Sequence, residues 1–185
     1  MAYLTVTTQF DVVDPGDGQL SLREAVAQAN TTPGADTIRF VAALEGQTLV
    51  LTGGELVVSQ DLTIDGRRRD DSPTITIDAD HKSRVLAIVG NKTKSMINDI
   101  VVTGGESGYA GYGAGIYVGT GAGLVLDSCI VRDNESGIYG AGGGIFGGPD
   151  SVLTITDSLI EGNSAYENGG AIFLTHGSEL TIQQS

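Results

Sequence analysis

One segment returns three times in the second half of the chain. Gly113-Ala114-Gly115-Ile116-Tyr117, Gly142-Gly143-Gly144-Ile145-Phe146 and Gly169-Gly170-Ala171-Ile172-Phe173 stand 29 and 27 residues apart. A second signature keeps the same step: Leu124-Val125-Leu126-Asp127-Ser128 is followed by Leu153-Thr154-Ile155-Thr156-Asp157-Ser158 and then by Leu180-Thr181-Ile182. A fixed period of this size marks stacked supersecondary units. Each apolar run is short, rich in β-branched residues and bounded by Gly, Asn, Asp or Ser, so the unit consists of strands and turns. Three such strands per period with no helix between them predict a parallel β-helix. In it each repeat is one coil, and equivalent residues stack about 4.8 Å apart.

That arrangement assigns most of the repeated residues to structure. Ile116, Ile145 and Ile172 should form one internal ladder, and Val125, Leu153 or Ile155, and Ile182 another. The glycines before each isoleucine allow positive φ or close backbone approach where the chain bends. Asn134 and Asn163, again one coil apart, are expected at left-handed corners, hydrogen-bonding the coils above and below.

The first 61 residues differ in character. Leu4 to Thr7 alternates as a strand, and Asp14-Pro15-Gly16-Asp17-Gly18 is a turn. Ser21-Leu22-Arg23-Glu24 is a capping box, with Leu22, Ala25, Val26 and Ala29 forming one apolar stripe. A helix over 21–30 is therefore expected, lying across the open end of the first coil as a cap. Strands follow at Ile38 to Val41, Thr48 to Leu51 and Leu56 to Val58. The division is thus residues 1–61 as cap and first coils, and 62–185 as coils of 27 to 29 residues. Leu180-Thr181-Ile182 opens a further coil, which leads to the expectation of a piece cut from a longer protein.

These residues carry a resemblance. Gly18-Gln19-Leu20-Ser21-Leu22-Arg23-Glu24-Ala25-Val26, with Ala29-Asn30 and Asp36-Thr37-Ile38-Arg39-Phe40, resembles the CSLREA domain, which precedes right-handed parallel β-helices in large secreted bacterial proteins. Leu20 stands where the family motif has cysteine, and Val26 where it has isoleucine. The coils from Met96 onward resemble the pectin-lyase-like β-helix. The pairing of Asn134 and Asn163 with GGAI-type segments is similar to polymorphic outer-membrane-protein repeats. The resemblance implies an all-β, right-handed parallel β-helix with a short N-terminal capping helix. It also implies an extracellular or cell-surface, adhesin-like parent chain, with further coils as neighbours. It implies no defined chemistry, because the wider fold carries both enzymes and adhesins.

Composition narrows the partners. A formal charge of −13 over 185 residues argues against nucleic acid and anionic membrane, and suits a salt-exposed surface or cation binding. No run of about 18 apolar residues is present, so no inserted membrane helix is expected. Met1 to Phe10 lack the pattern of a signal peptide. Three options follow: a cytoplasmic chain, export that does not read the N-terminus, or a leader already removed. The single cysteine, Cys129, lies in an apolar run and reads as a buried small hydrophobe.

Candidate sites are few. Asp78, Asp80, His81, Lys82 and Arg84 share one polar turn and offer paired carboxylates, an acid or base near neutral pH and positive groups. Those are what a polysaccharide-active β-helix enzyme needs. A solvated turn explains them without chemistry, and is the favoured reading. No acid, His or Arg recurs at the coil step on one face, although Asp127 and Asp157, with Asn98 before them, come close. Arg67, Arg68 and Arg69 could hold a glycan carboxylate or sulfate, but Asp70-Asp71 follows at once. Asp11, Asp14 and Asp17 supply hard oxygens for calcium in a tight turn. Gly140 to Gly144 has no strand-to-helix context and is not a phosphate cradle. Thr-Ile-Thr segments raise an ice-binding array, which Val125 and Asp127 interrupt. The expected function is a non-enzymatic structural or adhesive segment that contacts polysaccharide, with no cofactor unless calcium. A polysaccharide-active enzyme is the alternative.

Overall fold

The computed structural model describes residues 1–66 and 75–185. The chain winds about five times as a parallel β-helix with one short α-helix near its start. Among the described residues three sheets form its sides, and every pairing between strands is parallel. Sheet A has seven strands, from Tyr3–Val6 and Asp36–Phe40 through Gly123–Asp127 to Glu179–Gln183. Sheet B has five, running from Thr48–Val50 to Leu159–Glu161. Sheet C also has five, running from Leu56–Val58 to Ile172–Leu174. In each coil the chain passes from A to B to C. A two-stranded ladder, Glu135–Ser136 with Ser164–Ala165, stacks the connections between B and C.

Register follows from burial. In sheet C, Ile116 pairs with Ile145 and Ile145 with Ile172, as the repeats predict. In sheet A the apolar positions separate into two internal columns. One stacks Leu124, Leu153 and Leu180; the other stacks Leu126, Ile155 and Ile182. Val125 is opposite Met96 and Thr154 and faces outward, so Leu126, rather than Val125, is the ladder residue above Ile155 and Ile182. Side chains alternate across a strand, so a shift by one residue exchanges the two faces. A single apolar core extends from Val6 and Leu22 to Ile155. Each fully buried Ile or Leu in it contributes about 1.5–3 kcal/mol.

The corners explain the polar repeats. Asn134 and Asn163 are aligned on successive coils, but the left-handed conformation belongs to the residue before each, Asp133 at φ 54° and Gly162 at φ 61°. The asparagines themselves bond from coil to coil. Asn134 Oδ1 accepts from the Gly105 N–H at 2.8 Å, and its Nδ2 donates to Asn163 Oδ1 at 2.9 Å and to the Arg132 carbonyl at 2.9 Å. Directly beside them Gly115 and Gly144 have no room for a side chain. A Cβ on Gly115 would lie 2.5 Å from the Gly144 carbonyl oxygen and 2.9 Å from Asn134 Nδ2. The turn from A to B uses a left-handed residue on three successive coils, Asp99, Ser128 and Asp157. Asp157 therefore lies in the Ser128 column, whereas Asp127 is opposite Asn98 and Thr156. The carboxylates of Asp127 and Asp157 do not form one row.

Cys129 is buried, with its sulfur 3.2 Å from the Ile97 carbonyl oxygen. Its backbone N–H donates to Ser158 Oγ at 3.0 Å, and the Ser158 N–H donates to Ser185 Oγ at 3.1 Å, so the cysteine occupies one rung of a hydroxyl column. Burial pushes the thiol pKa up to about 12, which keeps it protonated and unreactive at neutral pH.

The helix α1 spans Leu22–Thr31, with Ser21 as N-cap and both halves of the capping box formed. Its buried residues are Leu22, Ala25, Val26 and Ala29, the predicted stripe, and they join the core of the coils. The helix packs against Leu56–Val58, Tyr3–Val6 and Asp36–Phe40. Asn30 fixes its far end by donating to the Val57 carbonyl at 2.7 Å and accepting from the Ser59 N–H at 2.8 Å. Among the described residues no helix is long and apolar enough to cross a membrane.

Candidate functional site

The connections from sheet B to sheet C vary in length and carry the chemistry-bearing side chains. They comprise residues 51–55, 79–85, 104–115, 133–144 and 162–171, stacked along one edge of the coil. The turn 78–84 belongs to this edge. Asp80 and His81 are both left-handed, at φ 50° and 54°, which turns the backbone back toward Gly104. The His81 N–H donates to the Gly104 carbonyl at 2.8 Å.

The five candidate residues of this turn are in place, but structural partners engage four of them. Asp78 Oδ1 accepts from the Asp80 N–H at 2.8 Å and caps the turn. Lys82 Nζ reaches Asp80 Oδ2 at 2.5 Å in an exposed pair. The Lys82 hydrogen bond, reinforced by its charge, lowers the Asp80 pKa, so this carboxylate is ionised at neutral pH and is no general acid. Arg84 bridges three coils. Its guanidinium pairs with Glu55 on the preceding coil, donates to the Tyr112 and Gly113 carbonyls on the next, and lies 5.1 Å over the Tyr117 ring. Cation–π contact and charge-assisted bonds together make Arg84 a staple on the outer surface.

Below the arginine runs an aromatic column. Tyr117 stacks on Phe146 at 5.6 Å between centroids, Phe146 on Phe173 at 5.8 Å, and Tyr112 lies 4.7 Å from Phe146. Each pair contributes about 0.5–1.5 kcal/mol beyond the area it buries. Beside the column, the loops present tyrosines to solvent: Tyr109 is 76% exposed, Tyr139 51% and Tyr166 69%. Tyr109 and Tyr139 meet edge to face at 5.3 Å. A groove of about 420 Å³ reaches Gly108, the residue before Tyr109, and is lined also by Glu55, His81, Lys82, Arg84 and Glu106. A larger hollow of about 680 Å³ opens beside sheet A over Leu124, Val125, Lys94 and Thr154 and holds none of the candidate residues.

The calcium candidates separate. Asp11 forms a two-pronged ion pair with Arg23 of α1, at 2.7 and 2.9 Å, and accepts from the Thr52 and Gly53 N–H groups at 2.6 and 2.8 Å. Burial raises its pKa, but the Arg23 hydrogen bond and charge with the two backbone donors outweigh that and hold it below the usual carboxylate value. Asp11 thus ties the cap to the first loop of the B-to-C edge, where Arg23 also donates to the Gly54 carbonyl at 2.6 Å. Asp14 and Asp17 close local turns onto Gly16 and Gln19. Among the described residues no three His, Cys, Asp or Glu side chains are gathered as metal ligands would be. Arg67, Arg68 and Arg69 lie outside the described residues.

Sequence reasoning passed over the exposed tyrosines. Tyr109, Tyr139 and Tyr166 follow each other by 30 and 27 residues, close to the coil step, and that recurrence was the available signal. Comparison with protein-family models, curated proteins and solved structures finds no match to this chain.

Proposed function

We propose that the chain is a non-enzymatic, adhesive β-helix segment of a larger exported bacterial protein, and that it contacts polysaccharide at the cell surface. The similarity of residues 18–40 to the CSLREA domain, and of the coils to pectin-lyase-like and outer-membrane-protein repeats, supports this origin. One observation carries the reading: the charged side chains of the 78–84 turn are taken up by partners within the turn or, for Arg84, on neighbouring coils, while the same edge turns tyrosines outward. Lys82 and Asp80 pair with each other and Arg84 pairs with Glu55, so the Asp80 and Glu55 carboxylates are both engaged in ion pairs. The proposal includes no cofactor unless calcium.

The alternative, a polysaccharide-active enzyme, has in its favour that His81 and Glu106 line the same groove. A panel of acidic and neutral polysaccharides separates the two. Each polymer is incubated with the protein, with and without calcium, and assayed for new reducing ends or unsaturated products, with retention measured in parallel. Retention without turnover is the expected result. Product formation that disappears in His81→Ala or Glu106→Gln would establish the enzyme instead.

A further inference from the structure

Three features of the B-to-C edge stand together: the exposed rings of Tyr109, Tyr139 and Tyr166, the groove that reaches Gly108, and the coil-to-coil bonds that fix the loops carrying the rings. We infer that this edge is a binding site for a neutral polysaccharide, with Tyr109 and Tyr139 as its stacking platform and the Lys82, Arg84 and Glu106 groove as its polar wall. The inference rests on the adhesive reading above and adds to it the ligand class and the contacting residues.

The rings come first. A phenol that is half or more exposed offers a π face whose negative potential attracts the C–H face of a sugar ring, and its hydroxyl stays in water. Tyr109 and Tyr139 stand nearly perpendicular, 81° between planes, so the pair makes a corner rather than a closed stack. Tyr117 and Phe146, by contrast, have their faces covered by Arg84 and by neighbouring rings.

The backbone under the rings is fixed. The Ala110 N–H donates to the Ile138 carbonyl on the next coil at 2.6 Å, and the Tyr166 N–H to the Ser136 carbonyl at 3.2 Å. The loops also touch directly: a Cβ on Gly140 would meet the Gly111 carbonyl oxygen at 2.4 Å. Glycine here lets one loop settle on the next. Rings held on such a backbone lose little freedom when a ligand stacks on them, which raises affinity without new contacts.

Charge selects the ligand class. Lys82 is opposed by Asp80 and Arg84 by Glu55, and Glu106 adds a further negative group to the groove. The groove therefore provides donors and acceptors without a positive field, on a chain of net charge −13. A polyuronate or sulfated glycan would be repelled. A neutral polymer has no such penalty, and its hydroxyls match a wall that both donates and accepts. Because the loops are stacked along the coil axis, a linear polymer lying along the edge passes Tyr109, Tyr139 and Tyr166 in turn.

The test is affinity electrophoresis through gels containing a soluble β-glucan, a galactomannan or polygalacturonate. The proteins compared are the unaltered chain, Tyr109→Ala/Tyr139→Ala, and Tyr3→Ala as an exposed tyrosine on sheet A. The expected result is retardation by a neutral polymer and none by polygalacturonate. The double variant should bind about tenfold more weakly with an unchanged melting temperature, and Tyr3→Ala should bind normally. Retardation that survives the double substitution would move the site elsewhere and leave the adhesive reading standing. Retardation by polygalacturonate alone would overturn the ligand class. No retardation of the unaltered chain by any of the three would remove the adhesive reading and this site together. A concentration-dependent dimer in sedimentation that the double variant abolishes would assign the tyrosines to a second copy of the chain.

Discussion

The side chain of Asn134 shows how one residue fixes the relation between three coils. It is buried, and it exchanges bonds with Gly105 on one side and Asn163 on the other, while its own loop supplies the Arg132 carbonyl. Alanine at this position would leave the buried Gly105 N–H without its partner and remove the amide bond to Asn163, and such a loss is expensive. Asn134→Ala should therefore lower stability by about 2–3 kcal/mol in chemical denaturation. Asn163→Ala should cost less, because Asn163 is only half-buried and lies one coil nearer the exposed end strand Glu179–Gln183. Equal losses, or a larger loss for Asn163, would mean that the column is held by the backbone and not by the amides. The resemblance in sequence between the two asparagines thus conceals unequal energetic roles, set by how many coils enclose each.

At the scale of the element, the cap is held by a helix stripe and by one ion pair. Asp11 is the titrating member: its folded pKa lies below the ordinary carboxylate value, so its contribution is fully present above about pH 4 and is lost as the pH falls through the lowered value. The helix should stay docked from neutral pH to about pH 5 and loosen below about pH 4, read by hydrogen exchange over residues 22–31. Asp11→Asn, which leaves the Arg23 charge without its counter-ion, should cost about 3 kcal/mol at neutral pH and flatten that acid profile. Identical acid profiles for the two proteins would show that other carboxylates govern the cap. Removing residues 1–34 altogether exposes Ile38 and Leu56 at the first coil and should yield an aggregating product; a monomer with a cooperative melt would refute the capping role. Much of this element was legible in advance, since Ser21, Glu24 and the Leu22, Ala25, Val26, Ala29 spacing are local signals that the structure realises directly. The Asp11–Arg23 pair was not, because it joins residues of a loop and a helix face to the backbone of Thr52 and Gly53, and no spacing along the chain encodes that meeting. The same limit hid Arg84, whose partners Glu55 and Tyr112 lie one coil away on either side and became its neighbours only through stacking. The exposed tyrosines were a different failure: their recurrence was visible, but periodicity by itself does not say whether a residue points in or out of a loop.

The whole molecule is one continuous core wound inside three sheets, and its stability depends on every rung presenting the right face inward. The fold class and the Ile116, Ile145, Ile172 column followed from the repeat alone, whereas the choice between Val125 and Leu126 did not. Both are aliphatic, and only the pairing with Ile97 and Ile155 shows Leu126 to be the inner one. That ambiguity supplies a sharp test of the architecture. An aspartate at an inward position puts an unpaired charge into the core at a cost of several kcal/mol, comparable to the total stability of about 5–15 kcal/mol of an ordinary domain. Ile145→Asp and Leu126→Asp should therefore abolish folding, seen as loss of the strand signal in circular dichroism and accumulation in the insoluble fraction. Val125→Asp, one residue away on the outer face between Met96 and Thr154, should leave a soluble protein destabilised by no more than about 1 kcal/mol. If Val125→Asp unfolded the chain and Leu126→Asp did not, sheet A would be displaced by one residue, its two faces exchanged and the continuous core lost. The outcome matters for the site as well as the fold. The tyrosine loops are tied to one another by coil-to-coil bonds, and they keep their common edge only while the strands of sheets B and C below them stay in register.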